Sequence, residues 1–108
     1  MLLINHTTNE IISQKLFIAN SFLENISGLL RQKRGTSMLF ITRFGIHTFF
    51  MKYPITVLVL NNKNQIVQIK QNLKPNRIFI WNPKYTKIIE LPTPTTNCQL
   101  GQILLFES

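Results

Sequence analysis

Apolar residues follow two different rhythms along this chain, and the change of rhythm marks its elements. Over residues 20–35, Phe22, Ile26, Leu29 and Leu30 recur at i, i+4, i+7 and i+8, one face of a helix. Ser21 can cap its start, with Asn20 as the alternative, and Glu24 then falls at the third helical position to complete a capping box. Arg31, Lys33 and Arg34 lie in the last turn, where cations suit the negative end of the helix dipole, and Gly35 ends it. Elsewhere the apolar residues come in short runs punctuated by Asn, Pro and Gly, which predicts strands. These span Leu2 to Ile4, Glu10 to Ala19, Met38 to Ile41, His47 to Met51, Ile55 to Leu60, Gln65 to Gln71, Arg77 to Trp81, Thr86 to Leu91 and Ile103 to Phe106.

Two of these runs say where they sit. Ile55 to Leu60 is apolar on both faces, as in a central strand or one inside a closed barrel. Gln65 to Gln71 alternates, so one of its faces is partly wet. Asn61 to Asn64 between them reads as a hairpin turn, because Asn tolerates positive φ. Pro54 lacks an N–H and belongs at a strand end or edge. The expected fold class is α+β and mainly β: a strongly curved antiparallel or barrel-like sheet with one amphipathic helix near the N-terminal third. A length of 108 residues fits a single domain over 1–108.

Composition narrows the chemistry. The chain has no Asp, and its acids are Glu10, Glu24, Glu90 and Glu107. With only His6, His47 and Cys98 as further ligands, no metal site is expected and no cofactor is implied. The net charge of +8 could serve a small anionic ligand or a polyanion such as nucleic acid. The cations are scattered and the chain is rich in Asn, Ile and Lys, so an ordinary solvated surface is the preferred account. A lone Cys98 cannot form an internal disulfide and reads as a small buried hydrophobe. No basic leader or run of about 20 apolar residues is present, and a cytoplasmic location is the expectation.

His47 is the candidate general base, since a histidine titrates near neutrality, and Glu90 or Glu24 is the acid that could orient it. The competing account gives His47 a backbone hydrogen bond at a strand start, and that account is preferred. Lys52, Tyr53, Arg77 and Trp81 could join His47 around a small cleft beside the His47–Pro54 segment. Trp81, next to Asn82-Pro83, is the better exposed candidate among the aromatics, but core is the preferred account, because aromatics mainly supply buried area. Glu90 is flanked by Ile88, Ile89 and Leu91, so it needs a partner to offset desolvation; Lys52, Arg43 or a backbone amide could serve.

Several segments resemble a known family. Gly28-Leu29-Leu30-Arg31 resembles the Gly-Leu-Met-x-Arg of DUF192, a family of small uncharacterised bacterial and archaeal proteins. Met38-Leu39-Phe40 is similar to its Met-Leu-Phe strand, and the run from Ile46 to Ile55 is similar to its central Ser-x-His-Thr-x-x-Met-Arg-x-Pro-Ile-Asp block. Asn72-Leu73-Lys74-Pro75, Ile89-Glu90-Leu91-Pro92 and Gly101 match its later elements, in family order. Thr56 stands where the family usually has an acid after Pro-Ile, and Gln102 where it has one after the closing glycine. Pro92-Thr93-Pro94 replaces the usual Ala-Gly. An activity carried by those two carboxylates would be lost here.

The resemblance implies a mainly-β domain with one helix and brings no agreed activity, cofactor or catalytic residue. The leading expectation is therefore a non-enzymatic binding or accessory module with a cleft near His47, Lys52 and Trp81. An enzyme using His47 with Glu90 and a polyanion binder are the alternatives.

Overall fold

Ten strands run through the residues that the computed structural model describes, namely 1–19, 37–43, 45–48, 51–92 and 98–108. They are β1 (Leu2–Asn5), β2 (Glu10–Ser13), β3 (Leu16–Ala19), β4 (Ser37–Ile41), β5 (Ile46–His47), β6 (Ile55–Leu60), β7 (Ile66–Leu73), β8 (Ile78–Phe79), β9 (Lys87–Pro92) and β10 (Leu104–Glu107).

The apolar run that reads as a central strand is one. β6 lies between β9 and β7 in a five-stranded sheet of order β3-β4-β9-β6-β7, and all six of its residues are buried. Successive side chains on a strand point to opposite faces. Accordingly Val57 and Val59 join Met38, Phe40 and Ile88 in one apolar cluster, while Leu58 and Leu60 join Leu39, Ile89 and Leu91 in another. The first cluster is completed by Ile46, Met51 and Trp81 from the region of the β5–β8 pair. The second is completed by Leu3 and Leu104 from the three-stranded sheet β10-β1-β2, with Cys98 beside them. The central sheet is thus covered on both faces. Complete burial of a Val, Leu or Ile side chain is worth about 1.5–3 kcal/mol, which makes β6 the strand on which most of the packing depends.

The expected architecture needs correction. The described strands form three separate sheets, of three, five and two strands, and the largest ends on β3 and β7. No barrel closes among the described residues, and no helix occurs among them. The expected amphipathic helix, with Ser21 and Glu24, falls on residues 20–35 and lies outside the described residues. The physical reason for the misreading is that a strand apolar on both faces is equally at home in a barrel wall and between two packed layers. Here β7 stops the sheet: Gln68, Lys70, Gln71 and Asn72 are all exposed on it, the polar dressing of an edge strand.

Two further boundaries differ. The run from Glu10 to Ala19 divides at Gln14-Lys15, where the Ser13 hydroxyl accepts from the Lys15 N–H at 3.3 Å. Its halves then enter different sheets, and β3 pairs with β4 in parallel rather than antiparallel. The strand expected from His47 to Met51 is reduced to Ile46–His47, with Phe49 and Phe50 outside the described residues. Among the described residues no helix is long and apolar enough to cross a membrane.

Candidate functional site

The segment after β5 is organised by Thr48, which is fully buried. Its hydroxyl donates to the Lys74 carbonyl at 2.7 Å and accepts from the Arg77 N–H at 2.8 Å. Its own N–H donates to the Arg77 carbonyl at 2.9 Å, and its carbonyl accepts from Met51 N–H at 3.2 Å and Asn76 N–H at 3.0 Å. One residue therefore ties the loop leading to β6 to the turn leaving β7. The turn is shaped by Asn72 and Asn76, both at positive φ (54° and 62°), a conformation Asn accepts at little cost. Gly45, at φ 95°, lets β5 approach β8: a Cβ there would lie 3.0 Å from the Phe79 carbonyl oxygen.

Four of the residues that the sequence singles out lie in or next to this hydrogen-bonded segment. Lys52 and Tyr53 follow Met51, Arg77 follows Asn76, and His47 precedes Thr48 and pairs in register with Ile78. Lys52, Lys74 and Arg77 are exposed, as is Tyr53 at 39%. His47 is half-buried, with its Nδ1 enclosed. Trp81 is elsewhere. It is 8% exposed in the first core cluster, its ring centroid 5.8 Å from that of Phe79, and its Nε1 donates to the Tyr85 carbonyl at 2.8 Å.

Glu90 is 3% exposed on β9, opposite Met38 on one side and Val57 on the other. Glu90 and His47 each have an interaction partner. The two positions where acids are missing carry structural bonds instead. The Thr56 hydroxyl, buried in β6, donates to Gln71 Oε1 at 3.1 Å. Gln102 Oε1 accepts from Asn5 Nδ2 and from the Gln99 N–H, both at 2.8 Å, joining the last turn to β1. Among the described residues no group of three or more His, Cys, Asp or Glu could hold a metal ion. Thr48 is the residue that sequence reasoning missed. Its place inside the His-Thr block was visible, but its partners lie 26 and 29 residues away.

The combination of a β-rich fold and motif residues committed to internal hydrogen bonds belongs to a recognisable class. Residues 3–100 match the model of DUF192, described as Uncharacterized ACR, and the chain belongs to this family. Among its relatives, the UPF0127 protein PH1112 of Pyrococcus horikoshii is 33% identical over 97 residues, covering 84% of this chain and 84% of its own. The UPF0127 protein PYRAB11210 of Pyrococcus abyssi is 32% identical over 84 residues, covering 72% of this chain and 71% of its own. No solved structure matches the chain. The family is one of uncharacterised function, and neither its description nor its relatives' names state an activity.

Proposed function

We propose that the 108 residues form a single DUF192-like domain that acts as a non-enzymatic binding or accessory module. Its ligand is a small anion held at the rim formed by His47, Lys52, Tyr53 and Arg77. The observation that carries this reading is the set of Thr48 hydrogen bonds, which ties Thr48 to Met51 on one side and to Lys74, Asn76 and Arg77 on the other, next to exposed cations. A pre-organised backbone lowers the ordering cost of binding. Trp81, buried in the core, is not among the residues that touch the ligand. The burial of Glu90 between Met38 and Val57 favours a structural role over catalysis with His47. A cytoplasmic location belongs to the same proposal, because a single cysteine is what a reducing compartment tolerates.

Titration of the 15N-labelled protein with citrate and inorganic phosphate, followed amide by amide, tests the rim. Saturable shifts at Thr48, Lys52 and Arg77 are expected, weakened about tenfold or more by the Lys52→Ala/Arg77→Ala double substitution. Binding that survives the double substitution undiminished, or shifts that never saturate, would overturn the reading.

A further inference from the structure

At the other end of β6 the chain builds a second basic surface, separate from the rim. Two turns face one another there: residues 61–65 between β6 and β7, and residues 82–85 before β9. Between them lies an open depression of about 460 Å³ lined by Asn61, Asn62, Lys63, Gln65, Lys84 and Tyr85. That volume is within the range of small-molecule sites, about 300–1,000 Å³.

Both turns are internally tied. Asn61 Oδ1 accepts from the N–H groups of Lys63 (2.9 Å) and Gln65 (3.0 Å), and Asn64 takes φ 61°. Asn82 Oδ1 accepts from the Lys84 N–H at 3.1 Å, and Tyr85 N–H donates to the Asn82 carbonyl at 3.0 Å. The Lys84 ammonium lies 5.1 Å from the centroid of the Tyr85 ring, and Tyr85 packs against the core. The lysine thus lies over the Tyr85 ring in a cation–π contact, and both residues line the depression.

The polarity of the lining decides the ligand. Two of the lining amide oxygens already have donors: Asn61 Oδ1 has two backbone N–H groups, and Gln65 Oε1 has Asn61 Nδ2 at 3.2 Å. Each side-chain amide NH₂ carries two hydrogens. Asn61 directs one of them to Gln65 Oε1, and Gln65 directs one to the Gly101 carbonyl at 3.1 Å, so each retains a donor. Asn64 Oδ1, just behind, accepts from the Lys87 ammonium at 2.8 Å. Among the described residues no carboxylate lines the depression. Its lining residues bring two lysines and the remaining amide donors of Asn61 and Gln65, while the oxygens of those two amides already accept hydrogen bonds. A neutral or cationic ligand finds little there, whereas a tetrahedral dianion with several acceptor oxygens is matched.

From this geometry we infer that the depression between the 61–65 and 82–85 turns is a binding site for the phosphoryl group of a small phosphate-bearing molecule. It is independent of the rim at the opposite end of β6, so the two proposals fail separately.

The test is amide-resolved titration of the full chain with inorganic phosphate, with AMP, and with adenosine as the uncharged control. Phosphate and AMP should give saturable shifts at Asn61, Asn62, Lys63, Lys84 and Tyr85, and adenosine none. Read at these five amides, the Lys63→Ala/Lys84→Ala double substitution should weaken both by about tenfold or more, the worth of one charge-assisted contact, while Lys52→Ala/Arg77→Ala, which acts at the rim's own amides, leaves these five responses unchanged. Tighter binding of AMP assigns the site to an organic phosphate, and equal binding to free phosphate. The inference is overturned by shifts that do not saturate, by adenosine matching AMP, or by an unchanged affinity after Lys63 and Lys84 are removed. It is equally overturned if a duplex oligonucleotide binds far more tightly and loses affinity evenly with every lysine removed.

Discussion

Thr48 shows how much one hydroxyl can organise when it is buried between two loops. Thr48→Val keeps the shape of the side chain and leaves the Lys74 carbonyl and the Arg77 N–H without their shared partner. A buried polar group left unsatisfied costs about 1–3 kcal/mol, and we expect a loss of that size in denaturant unfolding. Thr48→Ser, which restores the hydroxyl, should recover most of it; a valine variant as stable as the parent would contradict the role assigned to the hydroxyl. Gly45 is the second residue whose identity is dictated locally. Gly45→Ala meets both a positive φ of 95° and an oxygen 3.0 Å away, so it should destabilise by more than the roughly 1 kcal/mol of an ordinary glycine-to-alanine mismatch. Neither role is legible from neighbours in sequence. Gly45 reads only as part of a turn, and Thr48 only as one letter of a block that resembles a family. What gives each its meaning is backbone brought in from β8 or from the turn after β7.

For the elements, legibility follows how much of each signal is local. The all-apolar run of β6 identifies a strand buried on both sides, and the structure has it so. The Asn-rich turn at 61–64 is equally local, with Asn64 at positive φ. By contrast, the division of residues 10–19 into β2 and β3 is invisible to periodicity, because both halves carry apolar residues and only their partners differ. The same holds for the parallel pairing of β3 with β4. The contrast between centre and edge is measurable. Leu58→Ala, at a fully buried position of β6, should cost about 2–5 kcal/mol in chemical denaturation. Gln68→Ala, exposed on β7, should stay within about 0.5 kcal/mol. Comparable losses at the two positions would mean that β7 is not the edge of the sheet.

Across the whole molecule, twelve Lys and Arg stand against four Glu, and one of those acids, Glu90, is buried in the central sheet. Cations therefore outnumber acids three to one, and net repulsion is expected among them. Added salt should relieve that repulsion: raising ionic strength from about 10 mM to about 150 mM shortens the Debye length from about 30 Å to about 8 Å, and the melting temperature should rise. A fall would mean that surface ion pairs outweigh repulsion. The rim and the depression lie at opposite ends of the six-residue strand β6, a span of about 16 Å at about 3.3 Å per residue. That exceeds the Debye length of about 10 Å at 0.1 M salt, which is why substitutions at one site should leave the other's affinity unchanged.

By itself the chain's order of residues determined that strands dominate, that Ile55–Leu60 is enclosed, where the Asn turns fall, and which family the chain resembles. These are properties of residues that are neighbours along the backbone, where periodicity and φ preference act. Only the tertiary structure decided that the described strands divide into three sheets with no barrel closing among them, that Trp81 lies in the core, and that Lys63 and Lys84 line one depression between two turns. Those outcomes depend on which distant segments share a face, and hydrogen bonding and apolar burial choose among such pairings only once the whole chain has collapsed around β6.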